Sequence, residues 1–313
     1  MALPRSEHKP APLDRALREL LPTFRVGGWG PDPNPSWGYV RALIRSGKVE
    51  VDGQVVTDPA HRVGASAKIR VRMNAPQPGR ERRLSKRALV HVDHHVVVVD
   101  KPAGISTVPY EDERDTLDRS VRALLRKLPG AGRDAPLGIV QRLDKETSGL
   151  IVFARSLAAK RDLQRQLRAH TVARRYLALA HGSVKSATLS SRLVVDRGDG
   201  LRGSTKNPRL GRDSVTHVSQ REALPGATLV ECRLETGRTH QIRIHLSEAG
   251  HPLLGERVYV RNYSGRLLPA PRLMLHAAEL GFVHPISGRT LHFSSELPGD
   301  MTAVLGALRS AVT

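Results

Sequence analysis

Apolar positions recur at helical spacing near the start of the chain. Leu13, Ala16, Leu17, Leu20 and Leu21 put one stripe on a helix in LDRALRELL. A Gly/Pro-rich loop, RVGGWGPDPNPS, occupies residues 25–36. WGYVRALIRS, Trp37 to Ser46, then predicts a second short amphipathic helix, with Gly47 in a capping position. Beyond it the period changes to two. KVEVDGQVVTD reads as two short strands around an Asp-Gly hairpin at Asp52 and Gly53, and a further strand falls at Ala67–Val71. The stretch PQPGRERRLSKR has little to bury and reads as a basic linker. Further on, strand runs such as HVVVVD and LIVFA mix with helical runs such as Leu117–Lys127, without a regular βαβ repeat. The pattern predicts an α+β chain in four parts: a tail at 1–11, a small helix-helix-hairpin module at 12–75, the linker at 76–88 and a larger domain at 89–313.

Composition adds a partner to this picture. The 313 residues carry 50 Lys+Arg against 30 Asp+Glu, a formal net charge of +20. Such an excess favours a polyanion, because every neutralised phosphate releases counterions. The one cysteine, Cys232, excludes an intramolecular disulfide and a cysteine zinc cluster. In LVECRLE it falls on an alternating strand, where a small buried thiol is expected. No apolar run is long enough to span a bilayer, and MALPRSEHKPAP lacks the core of a signal peptide. The expectation is a soluble, cytoplasmic protein with no membrane partner; a monomer is the default.

Candidate chemistry concentrates in QRLDKETSGLIVFARS, where Asp144 stands between Arg142 and Lys145 just before an apolar strand. Flanking cations favour an ionised carboxylate, and such a group at a rigid strand entry can serve as a nucleophile or base. It can equally be a turn residue in a surface ion pair. Tyr176 shares a strand face with Ala178 and Ala180 in RYLALA, as a half-buried core tyrosine would. In THQIRIHLSEAG, Thr239 is the expected N-cap and Gly250 the end of a helix with Ile242, Leu246 and Ala249 as its buried stripe. Arg243 leaves that stripe and can reach a neighbouring carboxylate. His240 and His245 are five residues apart, on no common helical or strand face, and no metal is expected there. TGRT at 236–239 can offer backbone amides to a phosphate, or simply turn. LRGSTKNPRLGRD, 201–213, reads as a polar loop, either closing over a ligand or plainly solvated.

Read whole, QRLDKETSGLIVFAR closely resembles the catalytic motif of the RluA-type RNA pseudouridine synthases, usually His-Arg-Leu-Asp-Lys-x-Thr-Ser-Gly-Leu. DKPAGIST, RRYLALAHG, LETGRTHQIRIHLSEAGHPLLGE and RLMLHAAELGFVHP match further family segments in order, over about residues 89–295. YVRALIRSGKVEVDGQVV resembles an S4 RNA-binding domain. The resemblance implies an S4-type module followed by a catalytic domain with a mixed, largely antiparallel central sheet. It implies no cofactor and an RNA partner: large-subunit ribosomal RNA first, transfer RNA as the alternative. By the same resemblance Asp144 is the nucleophile, Arg243 pairs with it, Tyr176 packs on the target base and Arg142 supports the vacated place in the RNA stack. Gln141 stands where the family usually has His; it can position by hydrogen bonding but cannot titrate near neutral pH. Arg41, Arg45 and Lys48 would contact phosphates. Other classes remain open: a non-catalytic RNA-binding or ribosome-assembly protein, or an enzyme acting on DNA.

Overall fold

A computed structural model describes residues 11–21, 35–64, 66–72, 84–109, 113, 115–128, 136–261 and 263–310. Most of the tail, of the 25–36 loop and of the linker lies outside them. The chain divides into two compact units, Met1–Arg83 and Leu84–Thr313.

In the first unit, α1 (Leu13–Leu20) and α2 (Trp37–Arg45) pack beside β2 (Val49–Val51), β3 (Gln54–Val55) and β5 (Ile69–Val71). Leu13, Leu17, Val40, Leu43, Ile44, Val49 and Ile69 form its core, each side chain contributing roughly 1.5–3 kcal/mol by leaving water. The Ser36 hydroxyl caps α2 by accepting from the Tyr39 amide at 3.2 Å. Asp52 and Gly53 have φ of 51° and 82°, the paired left-handed conformation of a tight hairpin turn. Residue 11 is not tail: β1 (Ala11–Pro12) pairs with β4 (Arg62–Val63), since the amide of Leu13 also reaches the His61 carbonyl.

The second unit is built on one large sheet. Its strands are β6 (Leu89–Val92), β7 (Val96–Lys101), β8 (Gly138–Ile139), β9 (Ser148–Ala154), β10 (Ala173–His181), β11 (Ala187–Val194), β12 (Gly203–Thr205), β13 (Arg212–Leu224), β14 (Ala227–Leu234), β15 (Leu275–Val283) and β16 (Thr290–Ser294). The helices are α3 (Leu117–Leu125), α4 (Leu157–Arg168), α5 (Gln241–Glu248) and α6 (Gly299–Ser310). The strand order is β12-β11-β13-β14-β10-β15-β9-β7-β6, with β16 on β15 and β8 on β9. All pairings in it are antiparallel except β15 with β9. The unit starts earlier than residue 89. Leu84 is buried in its core, Lys86–Ala88 make a short 3₁₀ turn, and Ala88 packs against the same core, so the end of the basic stretch has apolar side chains to bury.

Alternation assigns the two faces. Val97, Val99, Ile151 and Phe153 point toward α3 and α5, and Val96, Val98, Leu150 and Val152 toward α4. β9 is buried along its whole length, as a strand covered on both faces must be.

The parallel junction sets where two distant segments enter the sheet. His276 pairs with Ser148 and Ala277 with Gly149. The two strands then part, β9 taking β8 as neighbour and β15 taking β16. Gly149 makes the close approach: at φ 107°, a Cβ there would lie 2.2 Å from the Ala277 carbonyl oxygen. Because parallel strands enter at the same end, the segment preceding β9 lies beside the segment preceding β15. Arg272 ties them, donating to the carbonyl of Glu146 at 3.2 Å and the hydroxyl of Ser148 at 3.2 Å while Asp300 holds its other edge.

Gly149→Ala should therefore cost more than about 2 kcal/mol, from backbone strain and a backbone clash together. Gly288 has φ 69° and open space around it, so Gly288→Ala should cost only about 1 kcal/mol. Thermal melts of the two variants measure the difference; equal losses would mean the approach to Ala277 can relax.

Candidate active site

Asp144 lies in the segment just before β9, and its backbone is fixed from three directions. Thr107 clasps the Leu143 peptide: its hydroxyl donates to the Leu143 carbonyl at 2.8 Å and accepts from the Leu143 amide at 3.1 Å. The Lys145 carbonyl accepts from the Gly104 amide at 2.7 Å and from Lys101 Nζ at 3.0 Å. Lys101 is fully buried and also donates to the carbonyls of Pro102 and Ile105. The DKPAGIST segment thus acts as a clamp on the residues either side of Asp144. The Thr147 amide closes the turn on the Asp144 carbonyl at 3.1 Å.

The cation that meets the carboxylate comes from 99 residues away. Arg243 Nη1 lies 3.3 Å from Asp144 Oδ2. Its adjacent edge, Nε and Nη2, makes a two-pronged contact with Glu256 at 2.7 and 2.9 Å. Exposure falls along this chain: 22% for the Asp144 side chain, 11% for Arg243 and 0% for Glu256. Burial pushes the Glu256 carboxyl up, but the Arg243 guanidinium and the amides of Val258 and Arg257 more than reverse this and hold it below its ordinary value. Burial would lower the Arg243 pKa; Glu256, then Asp144, raise it instead. Gly255, at φ 80° against the Arg272 carbonyl, lets the backbone pass close enough to seat Glu256. His240 and Tyr259 complete the rim, with His240 Nε2 3.9 Å from Asp144 Oδ2.

Beneath these groups runs a row of paired residues across five strands: Gly149, Ala277, Tyr176, Cys232 and Val218. The neighbours of Tyr176 in the row are small. Between Arg175↔Glu279 and Tyr176↔Ala277 the register skips Ala278, a bulge on β15 beside the tyrosine, of the kind found next to functional sites. Tyr176 is buried with Ala178 and Ala180 on one face. Burial raises its phenol pKa, Arg174 opposes the rise and Asp144 adds to it, so the tyrosine stays neutral. Cys232 is buried, its thiol pushed up to about 12 by burial and by Glu231.

Several expectations need correction. The cations flanking Asp144 in sequence do not hold it: Lys145 pairs with Glu113, and Arg142 is exposed and reaches the Thr239 hydroxyl at 3.4 Å. Thr239 is not the cap of α5. His240 occupies that position, because the chain turns there in the left-handed region, and its side chain makes no cap bond. Ala249 is exposed, while Gln241, Ile244 and His245 join Ile242 and Leu246 in the interior, so α5 is buried nearly all round. The TGRT turn spends its Arg238 amide on the Gln241 side chain rather than offering it outward. Part of 201–213 is strand β12, anchored where Ser204 meets Glu248. His240 and His245 serve different neighbours, the latter Thr216 and Ser191, and no metal-ligand cluster occurs among the described residues.

Gln141 is half-buried, three residues before Asp144. In the first unit, Arg41 Nε meets Asp14 at 2.9 Å and so helps join α2 to α1. Arg45 lies on α2, with its side chain outside the described set, and Lys48 follows the helix. Glu256, His240, Tyr259 and Lys101 were missed as site residues. For Lys101, His240 and Glu256 the sequence signal was membership in the DKPAG and LETGRTHQIRIHLSEAGHPLLGE segments; Tyr259 lies just beyond the second, and local spacing gave no signal.

Glu256 makes a pH prediction. Its folded pKa is depressed from the ordinary 4.5, so its contribution to stability is complete above that value and is lost as pH falls through the lower folded one. Wild type should therefore lose more stability below pH ~4.5 than Glu256→Gln, which should already be weakened at pH 7 by about 3–5 kcal/mol through disruption of the buried pair. Denaturant melts at a series of pH values read both effects; parallel pH curves would refute the coupling.

Comparison with known proteins agrees with this geometry. A model of the RNA pseudouridylate synthase family matches residues 95–248, and an S4 domain model matches 33–69. The chain is 37% identical over 301 residues to ribosomal large subunit pseudouridine synthase D of Zymomonas mobilis subsp. mobilis, covering 92% of this chain and 91% of the relative. It is 36% identical to the protein of the same name from Nitrosomonas europaea, over 95% of this chain and 84% of the relative. The fold is similar to that of human RNA Pseudouridylate Synthase Domain Containing 4, with TM-score 0.61 and 23% identity, over 73% of this chain and 95% of that one. A carboxylate on a clamped backbone facing a largely buried arginine, with relatives of this likeness along nearly its whole length, places the chain in the RNA pseudouridine synthase family, an enzyme with an N-terminal S4 domain.

Proposed function

We propose that the enzyme isomerises uridines of large-subunit ribosomal RNA, in the cytoplasm, with Asp144 as nucleophile. The observation carrying the chemistry is the Asp144–Arg243 contact at 3.3 Å, made by an arginine whose other edge is already matched by Glu256. Asp144 is thereby oriented by one donor nitrogen while much of the guanidinium charge is answered elsewhere. The names of the relatives support the RNA class. The reaction moves no electrons to an outside acceptor. The C1′–N1 bond breaks, C1′ bonds to C5, the C5 hydrogen leaves as a proton and N1 gains one. Asp144 would hold the detached fragment covalently while the base turns.

A uracil can reach this carboxylate only outside its helix. Leaving the stack costs a few kcal/mol, least for an unpaired uridine. Tyr176, between small neighbours, offers a face against which the extruded base can pack. Arg142, which is exposed, would occupy the vacated gap in the RNA. Arg41, Arg45 and Lys48 would contact phosphates without reading bases.

Asp144→Ala and Asp144→Asn should lower the single-turnover rate by at least ~10³-fold without loss of RNA binding. A pseudouridine map of total RNA from cells with and without the gene identifies the target. Sites lost on deletion and restored by wild type but not by Asp144→Ala would support the reading. An unchanged map would favour a role in RNA binding alone, and full activity in Asp144→Ala would remove the nucleophile assignment. Binding should also weaken steeply from 50 to 200 mM salt, as phosphate contacts do; a flat salt profile would contradict the electrostatic part.

A further inference from the structure

Asp144 has a second nitrogen neighbour. His240 Nε2 stands 3.9 Å from Asp144 Oδ2, while Nδ1 of the same ring meets the Tyr259 hydroxyl at 2.7 Å. The two rings cross edge to face at 5.6 Å between centroids. The arrangement is held from both sides. His240 sits at φ 60°, a conformation that non-glycine residues seldom adopt and that recurs at functional sites. The turn before it is locked by the Gln241 side chain, which accepts from the Thr236 hydroxyl and Arg238 amide and donates to the Val215 carbonyl. Tyr259 lies on the loop whose amides converge on Glu256.

These contacts bear on which tautomer His240 adopts. Burial, with help from Glu256 and Asp144 and against Arg243, pushes the Tyr259 phenol up to about 12, so it keeps its proton. A phenol that keeps its proton can donate into Nδ1 across this 2.7 Å contact. A neutral imidazole that accepts at Nδ1 carries its own proton on Nε2, the edge facing Asp144.

We propose that Tyr259 fixes the tautomer of His240 so that a neutral Nε2–H orients the Asp144 carboxylate for attack. This rests on the assignment of Asp144 as nucleophile. His240 and Tyr259 are positioning residues. The 3.9 Å separation is longer than a hydrogen bond and closes when RNA is bound, as bonds in unliganded sites commonly do. Neutrality matters. A second full cation beside Arg243 would stabilise the carboxylate before attack and blunt it as a nucleophile. The groups facing His240 are Asp144, Arg243, Glu256, Arg202 and Tyr259. Burial leads in lowering its pKa, Arg243 and Arg202 add to this, and Asp144 and Glu256 oppose. The ring therefore stays neutral until pH falls below the ordinary histidine range; there it becomes a cation and the rate falls.

The test uses the full chain and unmodified large-subunit ribosomal RNA transcribed in vitro, with single-turnover rates measured across pH. His240→Ala should lower the rate about tenfold with RNA affinity unchanged, the scale of one lost hydrogen bond. His240→Gln meets the same backbone strain, but its amide can reach the Nε2 position and does not titrate. It should recover most of the rate and lack the histidine limb at acid pH. Tyr259→Phe should slow wild type severalfold and have no effect in the His240→Gln background. Equal losses for Ala and Gln, an acid limb surviving in His240→Gln, or additive effects of the two positions would overturn the proposal. Imidazole nitrogen NMR of the wild-type protein tests it without any substitution: the Nε2–H form of His240 is required, and an Nδ1–H form would refute it. Asp144→Ala run alongside separates the two readings, because activity there would remove the nucleophile assignment while leaving the tautomer measurement intact.

Discussion

A guanidinium shared by two carboxylates organises the catalytic unit. Arg243 could not be buried beside Asp144 alone without leaving much of its charge and hydrogen-bonding edge unanswered. Glu256 answers both, at zero exposure, and three backbone amides in turn surround Glu256. Asp144 then receives one nitrogen at 3.3 Å and remains the most exposed member of the chain. The gradient from buried Glu256 to accessible Asp144 places an anion at the rim of a low-dielectric wall, where electrostatic contacts are stronger than in water.

The sheet supplies the coordinates for this pair. One parallel junction sits in an otherwise antiparallel sheet, and it brings the entries of β9 and β15 to the same end. Arg272 and Lys101 then bind the Asp144 segment through backbone carbonyls, which fixes the main chain whatever its side chains do. Across the sheet, the row from Gly149 to Val218 keeps small residues beside Tyr176.

Legibility in the sequence differed by feature. The helix stripes, the Asp-Gly hairpin, the apolar strand after Asp144 and the shared face of Tyr176, Ala178 and Ala180 all follow from local periodicity. Local reasoning failed where charge was judged by proximity along the chain. Arg142 and Lys145 adjoin Asp144 in sequence, yet Lys145 turns to Glu113 and Arg142 to Thr239. It failed also at His240, whose spacing from His245 raises only a metal question, and at Thr239, displaced from the cap by a left-handed residue that no composition rule signals. The linker ended early for a simpler reason: Leu84 has a side chain to bury and the core had room for it.

The sequence by itself determined the α+β class, the large excess of positive charge and, through ordered motifs, the family. Those are properties of local pattern, total charge and inherited segments. Only the tertiary structure decided which cation faces Asp144, what neutralises that cation's other edge, and which ring nitrogen of His240 points inward. Each of these depends on distances between residues far apart in the chain, 99 positions in the case of Asp144 and Arg243. Side-chain spacing along a helix or strand reaches only a few residues, so relations across the sheet are set when the strands pair.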